Sequence, residues 1–578
     1  MSDSTDVDGV PRPDGPVNSI DTDYRVGQDN WQRRFGPFDI DIHNPVFVVS
    51  AMVIVLFVAL TLIFRETASS VFDAIFNFVT TNFDWLFLSA GNIFVLVCLA
   101  LIVLPVGKVR LGGAQAKPDF GYLPWFAMLF AAGMGIGLMF YGVAEPVTHY
   151  EASVAEDAAS ADSWAPLGGA AGNEAEARAL AMGATIFHWG LHPWAIYGIV
   201  ALGLALFCYN KGLPLTIRSV FYPIFGDKVW GWPGHVIDTL AVFATLFGLA
   251  TSLGIGAEQA SAGIAKIFGS GDPAAGTQTL FGFGFGNEDE SANSVAPLVI
   301  LICAITAAAL VSVVAGLDKG VKRLSELNLG LAAALLLFTI VAGAMATGGF
   351  LAVIDGFWFN TVAYAEYLIP LSNPFGREDD NFRQGWTAFY WSWWISWSPF
   401  VGMFIARVSR GRTVREFLIA VLVVPTLVGV IWMTSFGGTA VSMIQQGATA
   451  ISEASTELRL FVMLDQLPLA TLTGLVGVAL VIVFFVTSSD SGSLVIDTIT
   501  AGGKVDAPTL QRVFWATFEG GIAIVLLVGG GLTALQAAAV STGLPFTIVL
   551  LLACYAVIVG LYQEPRPGKM HIADQPAE

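Results

Sequence analysis

Twelve apolar runs recur along this chain, at 45–64, 84–106, 121–146, 182–208, 236–267, 295–316, 328–350, 384–406, 417–436, 468–496, 513–530 and 543–562. Each is about as long as the roughly 18 residues needed to cross a bilayer. Hydrocarbon offers no water to a backbone amide, so runs of this length fold as helices that satisfy their own N–H and C=O groups. The chain is 55% hydrophobic and 12% charged, whereas a soluble chain carries about a quarter charged residues. The expected fold is an all-α polytopic membrane protein with 12 transmembrane helices.

Basic residues set the expected orientation. Lys108, Arg110 and Lys117, then Lys211, Arg218 and Lys228, fall between runs on one side. So do Lys319, Lys322 and Arg323, then Arg407, Arg410, Arg412 and Arg415, then Lys504 and Arg512. The opposite loops are poor in basic residues and often acidic, as from Glu151 to Glu176 and in Glu288-Asp289-Glu290. This bias places both termini in the cytoplasm of a multi-pass protein of the cell membrane.

Residues 1–44 are polar, Asp-rich and interrupted by Pro and Gly, and are read as a disordered acidic cytoplasmic tail, not a signal peptide. Residues 563–578 form a short cytoplasmic tail. The net charge of −18 excludes nucleic acid as a partner, and membrane lipids meet the apolar surface instead. A salt-rich habitat and ordinary acidic loops both account for that charge. Cys98, Cys208, Cys303 and Cys554 fall inside spans and read as small apolar residues, without a disulfide or metal pattern.

Two spans carry helix breakers. The third contains Gly133, Gly135 and Gly137 at alternate positions. Each glycine costs a helix interior about 1 kcal/mol, so three together mark a place where the helix unwinds. The eighth carries Ser398-Pro399 and Gly402. Isolated glycines in membrane helices are usually close contacts, but broken helices at matching positions of two repeats mark a transporter's central site. Unwound backbone offers N–H groups to a carboxylate and carbonyls to a cation.

Aromatic residues are concentrated in two places. Five of the 16 tryptophans lie in 386–397: Trp386, Trp391, Trp393, Trp394 and Trp397. Crowded electron-rich ring faces suit a cation that cannot donate hydrogen bonds, above all a quaternary ammonium. The bland reading is a packing seam, since Trp386, Tyr390, Trp393, Trp397, Phe400 and Phe404 form one helical stripe. Trp391 and Trp394 lie off it, so one face is expected to pack and another to line a pathway. The fourth span adds Trp189, Trp194 and Tyr197, with Pro193 placed to bend the ladder between them. Its His188 and His192 have metal-ligand spacing but lack a third ligand, and are read as hydrogen-bonded or pore-facing.

The tenth span holds Thr487-Ser488-Ser489-Asp490-Ser491, whose hydroxyls suit a hard cation such as sodium. Such hydroxyls more often bond their own helix. Asp490 is costly at membrane depth without a partner and is read as a structural hydrogen-bonding group or one near the cytoplasmic end. Glu258, in the fifth span, is open to three readings: a proton site, a structural pair or an outer-surface residue.

Several of these segments resemble the betaine/carnitine/choline transporter family. They are Gly133-Met-Gly-Ile-Gly-Leu-Met-Phe-Tyr-Gly-Val-Ala-Glu-Pro146, Trp386 through Arg412, Ser312-Val-Val-Ala-Gly-Leu-Asp-Lys319-Gly and Thr487-Ser-Ser-Asp490-Ser-Gly. The similarity runs from about 45 to 562 and is greatest to the sodium-coupled glycine betaine carriers. It implies two additional helices in 45–120 and a ten-helix transport core in 121–562, built as a five-plus-five inverted repeat of the leucine-transporter type. It also implies a homotrimer with one pathway per protomer.

By the same resemblance Trp189, Trp194, Tyr197 and Trp394 form the aromatic box for trimethylammonium, and Trp393 and Trp397 line the same region. Gly133, Gly135 and Gly137 supply backbone to the substrate. One sodium site maps onto the carbonyls of Ala131, Met134 and Phe484 and the hydroxyls of Thr487 and Ser488. A second maps onto Thr245 and Phe400, but Leu249 stands where its other hydroxyl is expected, with Thr251 as the substitute. Proton-coupled choline carriers of the family carry an aspartate where this chain has Gly137, so a neutral site for a zwitterion is expected.

The resulting expectation is a sodium symporter that imports glycine betaine for osmoprotection by alternating access. Sodium is the coupling ion and no cofactor is implied. The competing readings are a proton-coupled or exchange carrier for choline, carnitine, ectoine or a sulfonium solute, and a betaine-binding membrane sensor. No convergent nucleophile and base are evident, so an enzyme is not expected.

Overall fold

The computed structural model describes residues 12–565, apart from 37, 134, 270–277, 281–282, 286–291 and 316–320. Met134, Lys319 and Glu288 to Glu290 therefore lie outside the described residues, as does the end of the carboxyl tail.

An antiparallel hairpin opens the described chain, β1 (Asn30–Phe35) pairing with β2 (Phe38–His43) in the register Asn30 to His43. These residues were expected to belong to a disordered tail. Their order comes from contacts far along the chain: the Asn30 side chain donates to the Ala501 carbonyl, and Gln511 bonds both the N–H and the C=O of Asp41. Sequence composition carries no trace of such partners.

Helices follow: α1 (Asn44–Ile63), α2 (Arg65–Val103), α3 (Tyr122–Gly133), α4 (Ile136–Val154), α5 (Glu174–Trp189) and α6 (Leu191–Ala205). Next come α7 (Trp232–Phe268), α8 (Ala292–Ala315), α9 (Val321–Thr347) and α10 (Phe350–Ser372). The last are α11 (Phe389–Val408), α12 (Val414–Met433), α13 (Ala470–Thr500) and α14 (Thr509–Tyr562).

Among the described residues nine helices are long and apolar enough to cross a membrane, or ten if α3 and α4 count as one bent span. Two features separate that number from the twelve runs in the sequence. The runs at 513–530 and 543–562 share the single 54-residue α14, which turns at Gly530 and Gly531. At 1.5 Å per residue that length far exceeds one bilayer. The tryptophan-rich α11 has 20 residues, but its serines and indoles lower its hydropathy.

Burial orders the helices. The most apolar window of the α5–α6 segment is 94% buried and that of α7 is 89%, against 22% to 39% for α1, α2, α8 and α9. The chain thus surrounds α5, α6 and α7 with more lipid-like surfaces. Cys98, Cys208 and Cys554 are buried and Cys303 is exposed, all four unbridged.

Candidate functional site

The third span is broken where its glycines fall: α3 and α4 meet at a bend of 70°. Gly135 starts α4 with extended backbone, and a Cβ on it would stand 3.9 Å from the Phe484 ring of α13. The break therefore faces the helix that carries the hydroxyl cluster.

The expected second break is not there. Helix α11 runs through Pro399 without interruption. Proline leaves the Ile395 carbonyl without its usual N–H partner, and the Ser398 hydroxyl supplies a donor at 2.7 Å. Gly402 faces Val200 of α6 so closely that any Cβ would collide, which makes it a packing contact. A different helix is interrupted instead. The fourth span parts at Gly190, between α5 and α6, and not at Pro193. The Leu191 N–H freed there donates to the Tyr364 hydroxyl of α10 at 3.0 Å.

This break brings Trp189 round to the other rings. Trp189 meets Trp394 nearly edge to face, with centroids 4.9 Å apart at 77°. Tyr197 meets Trp394 at 6.1 Å and 83°, and Trp194 meets Tyr197 at 5.5 Å and 81°. Trp393 stacks on Trp394 at 5.1 Å and 14°. All five rings are buried. Gly137 lies against them: a Cβ there would be 2.8 Å from Trp393 Cη2 and 3.0 Å from Trp189 Cη2.

Hydrogen bonds fix the indoles. Trp394 Nε1 donates to the His188 carbonyl at 2.9 Å, and Trp189 Nε1 to the Glu145 carboxylate at 2.8 Å. Trp393 Nε1 donates to Ser252 Oγ at 3.2 Å and Trp397 Nε1 to the Gly248 carbonyl at 2.8 Å, both on α7. The Tyr197 hydroxyl is buried without a partner among the described residues. Such an orphan is costly unless a solute or water completes it.

Trp391 belongs elsewhere. It stacks on His192 at 5.3 Å and 14° and packs on Phe187 at 5.0 Å. One face of the aromatic helix thus packs while another joins the cluster. His192 turns away to Asn92 Oδ1 at 3.0 Å, so the two histidines do not converge. His188 is instead grouped with Glu145 and His149, a trio that spacing along one helix could not reveal.

On α13 the Thr487 hydroxyl donates to the Val483 carbonyl at 3.0 Å and to the Phe484 carbonyl at 3.2 Å. Thr487 and Ser488 are both half-buried on this helix. Ala131 lies at the end of α3. Asp490 is paired: Arg512 Nη2 donates to it at 2.9 Å and Ser312 Oγ at 2.5 Å. Ser489 donates to the buried Glu519 at 2.7 Å.

Around the second candidate position, Thr245 Oγ1 donates to the Ala241 carbonyl at 2.8 Å, and Trp397 meets Phe400 at 5.5 Å. Leu249 packs against Gly492 of α13. Thr251, the substitute hydroxyl, is committed elsewhere: it bonds the Phe247 carbonyl at 2.8 Å and the Leu535 carbonyl of α14 at 2.7 Å. Glu258 is half-buried on α7.

Sequence reasoning missed His149, Gly190 and Tyr364, and read Tyr390 only as part of the aromatic stripe. Glu145 had left a signal as an acid inside the motif that follows the glycine run.

A predominantly helical membrane protein with a buried cluster of indoles beside an unwound span fits one class, the polytopic carriers of small solutes. The comparisons narrow it. Residues 45–566 match the model of BCCT, the betaine/carnitine/choline family transporters. The chain is 58% identical to a glycine betaine/proline/choline transporter of Vibrio parahaemolyticus, covering 97% of this chain and 98% of that one. It is 53% identical to glycine betaine transporter 1 of the same organism, over 94% and 98%. It is also 42% identical to the glycine betaine transporter OpuD of Bacillus subtilis, over 85% and 89%. The chain belongs to the betaine/carnitine/choline transporter family, and is a transporter of the betaine type, not an enzyme.

Proposed function

We propose that this chain imports glycine betaine by symport with sodium. The observation that carries the reading is the aromatic cluster of Trp189, Trp194, Tyr197 and Trp394 closed over a glycine at 137. No side chain at that position contributes charge to the cluster. The rings suit a trimethylammonium, each worth about 0.5–2 kcal/mol to a desolvated cation. The solute's own carboxylate meets the Tyr197 hydroxyl and backbone N–H groups at the start of α4.

Sodium binds first, to the carbonyls of Ala131, Met134 and Phe484 and the hydroxyls of Thr487 and Ser488. It draws the broken span against α13 and orders the cluster for betaine. Both ligands then favour the same closed state, which is the requirement for coupling, since only differential affinity shifts an equilibrium. The core rocks inward by alternating access. A second ion at Thr245 and Phe400 lacks its other hydroxyl because Leu249 fills the place. The twelve-span count takes α11 and both arms of α14 as separate crossings, and 121–562 as the inverted-repeat core. Homotrimeric assembly, cytoplasmic termini, residence in the cell membrane and a role in osmoprotection complete the proposal.

A wider solute range is favoured by one observation: the 58% identical relative is named a transporter of proline and choline as well as glycine betaine. The test is uptake of radiolabelled glycine betaine, choline and proline into proteoliposomes under an inward sodium gradient, with potassium and pH-gradient controls. Concentrative betaine uptake that requires sodium supports the proposal. Uptake driven by a pH gradient alone overturns the coupling, and uptake of choline or proline without betaine overturns the solute.

A further inference from the structure

Glu145 lies in α4, just past the unwound glycines, with no exposure to solvent. A buried carboxylate is costly unless several donors meet it. Here four do. His188 Nδ1 is 2.6 Å and His149 Nε2 3.3 Å from Oε1. Trp189 Nε1 donates to Oε2 at 2.8 Å and the Tyr390 hydroxyl at 2.5 Å. The acid thus joins α4, α5 and α11 at one atom pair.

Two of these links run to the aromatic cluster. The bond from Trp189 is direct, and an indole N–H is donor only, so its single partner decides the rotation of the ring. The second link passes through His188. Its ring is held at one end by Glu145 and at the other by Thr387 Oγ1 at 2.9 Å, and its backbone carbonyl accepts Trp394 Nε1 at 2.9 Å. The edge-to-face meeting of Trp189 and Trp394, 4.9 Å apart, thus lies between two acceptors: Glu145 Oε2 and the carbonyl of the residue whose ring Glu145 holds. Tyr390, stacked 5.9 Å from Trp394, is the third ring tied to the same oxygen pair.

A metal is the rival use of this group, because ligand atoms of Glu145, His149 and His188 lie within 4.8 Å of one another. Oε2 is already taken by two donors, and the indole among them has no lone pair with which to ligate. Both carboxylate oxygens are thus fully partnered without an ion, while His149 Nδ1 is buried without a partner among the described residues.

We propose that Glu145 is a positioning residue for the substrate cluster: it sets the orientation of Trp189 directly and of Trp394 through His188, and so sets solute affinity. The affinity half of this statement rests on the proposed betaine site, whereas the orientation half does not. Glu145→Ala removes every acceptor. Glu145→Gln keeps one oxygen for Trp189 and Tyr390, while its amide donates to His188 in the other ring tautomer, so it is the conservative rescue.

The test reads both halves. Protein labelled with 5-fluorotryptophan gives a fluorine resonance for Trp189, assigned with Trp189→Phe. Glu145→Ala is expected to shift or split that resonance, and Glu145→Gln to restore it. In proteoliposomes Glu145→Ala is expected to raise the KM for glycine betaine at least tenfold with Vmax kept within about threefold, and Glu145→Gln to recover most of the affinity. An unmoved Trp189 resonance in Glu145→Ala overturns the proposal, whatever solute the carrier takes. A fall in Vmax at constant KM also overturns it, since that marks a merely structural or gating role. Should Glu145→Ala not fold, Glu145→Asp withdraws the carboxylate by one methylene and gives the same comparison. Wild-type protein that binds no betaine refutes the proposed solute alone, and the fluorine spectra still decide the role of Glu145.

Discussion

Gly137 and Trp393 stand so close that a Cβ on the glycine would lie 2.8 Å from the indole. Trp189 is almost as near on the same side, at 3.0 Å. Real Cβ atoms do not approach rings to that distance, so any side chain at 137 must push the cluster open.

The first prediction follows from that contact. Gly137→Ala forces Trp393 and Trp189 outward and is expected to raise the KM for betaine by about tenfold, or about 1.4 kcal/mol, with little change in surface expression. Gly137→Asp adds a charge as well as bulk, which favours a net cation over a zwitterion. Uptake kinetics for betaine and choline in both variants check this, and an Ala variant with wild-type KM would contradict the close approach.

Trp394 and Trp391 differ by three residues and by role. Trp394→Ala removes a face of the cluster and is expected to weaken solute affinity by about 0.5–2 kcal/mol, the range of a desolvated cation–π contact. Trp391→Ala empties a site packed by His192 and Phe187, and is expected to lower thermal stability by about 3–5 kcal/mol while leaving KM near wild type. Equal effects on KM would place both rings in the pathway.

Sodium dependence tests the hydroxyls of α13. Thr487→Ala and Ser488→Ala each remove one neutral oxygen from the proposed cation site. Each is expected to raise the sodium concentration for half-maximal uptake several-fold without changing the maximal rate at saturating sodium. An unaltered sodium requirement in both variants would remove this site from the proposal.

His43 supplies a pH prediction outside the membrane-spanning segments. Burial, then the nearby charge of Arg218 and the ring of His235, push its pKa down to about 3. Arg218 Nη1 lies 3.3 Å from its Nε2, a contact that needs the neutral ring. With the hairpin undocked, the residue titrates near its ordinary value of about 6.5. The undocked state therefore binds a proton first as pH falls. Docking is fully stable above about pH 6.5 and weakens towards pH 3 by up to about 1.4 kcal/mol per unit. Hydrogen exchange across residues 30–43, corrected for intrinsic rates, should show more opening at pH 5.5 than at 7.5. His43→Gln should flatten that dependence, and an identical slope in the variant would assign it to another group.

What was legible in the sequence was what periodicity and composition encode. The apolar runs gave the helices, and the off-stripe positions of Trp391 and Trp394 showed that α11 is aromatic on more than one face, but not which rings meet: Trp393, on the stripe, stacks on Trp394, off it. Three things were not legible, each because it depends on a partner distant in sequence. The tail hairpin is ordered by Ala501 and Gln511. The fourth span parts at Gly190 because Tyr364 of α10, itself absent from the apolar runs, receives the freed N–H. Glu145 stood inside the motif that follows the glycine run, but its four donors come from three helices. Pro399 misled in the opposite direction: a proline in a span suggests a break, and a neighbouring serine repaired it.

That repair can be measured. A proline at 399 deprives the Ile395 carbonyl of its backbone donor, and the Ser398 hydroxyl, 2.7 Å away, takes its place. Ser398→Ala then leaves a buried carbonyl unsatisfied and should lower stability by about 1 kcal/mol, somewhat less if membrane reference states find other partners. Pro399→Ala restores the backbone N–H, so the hydroxyl becomes redundant. In that background Ser398→Ala should cost close to nothing. A double-mutant cycle on thermal unfolding in detergent isolates the coupling between the two positions. A coupling near zero, with Ser398→Ala equally harmful in both backgrounds, would mean that the serine stabilises α11 by some contact other than this one. A coupling of about the single-mutant cost would establish that α11 stays unbroken beside the aromatic cluster because of one hydroxyl.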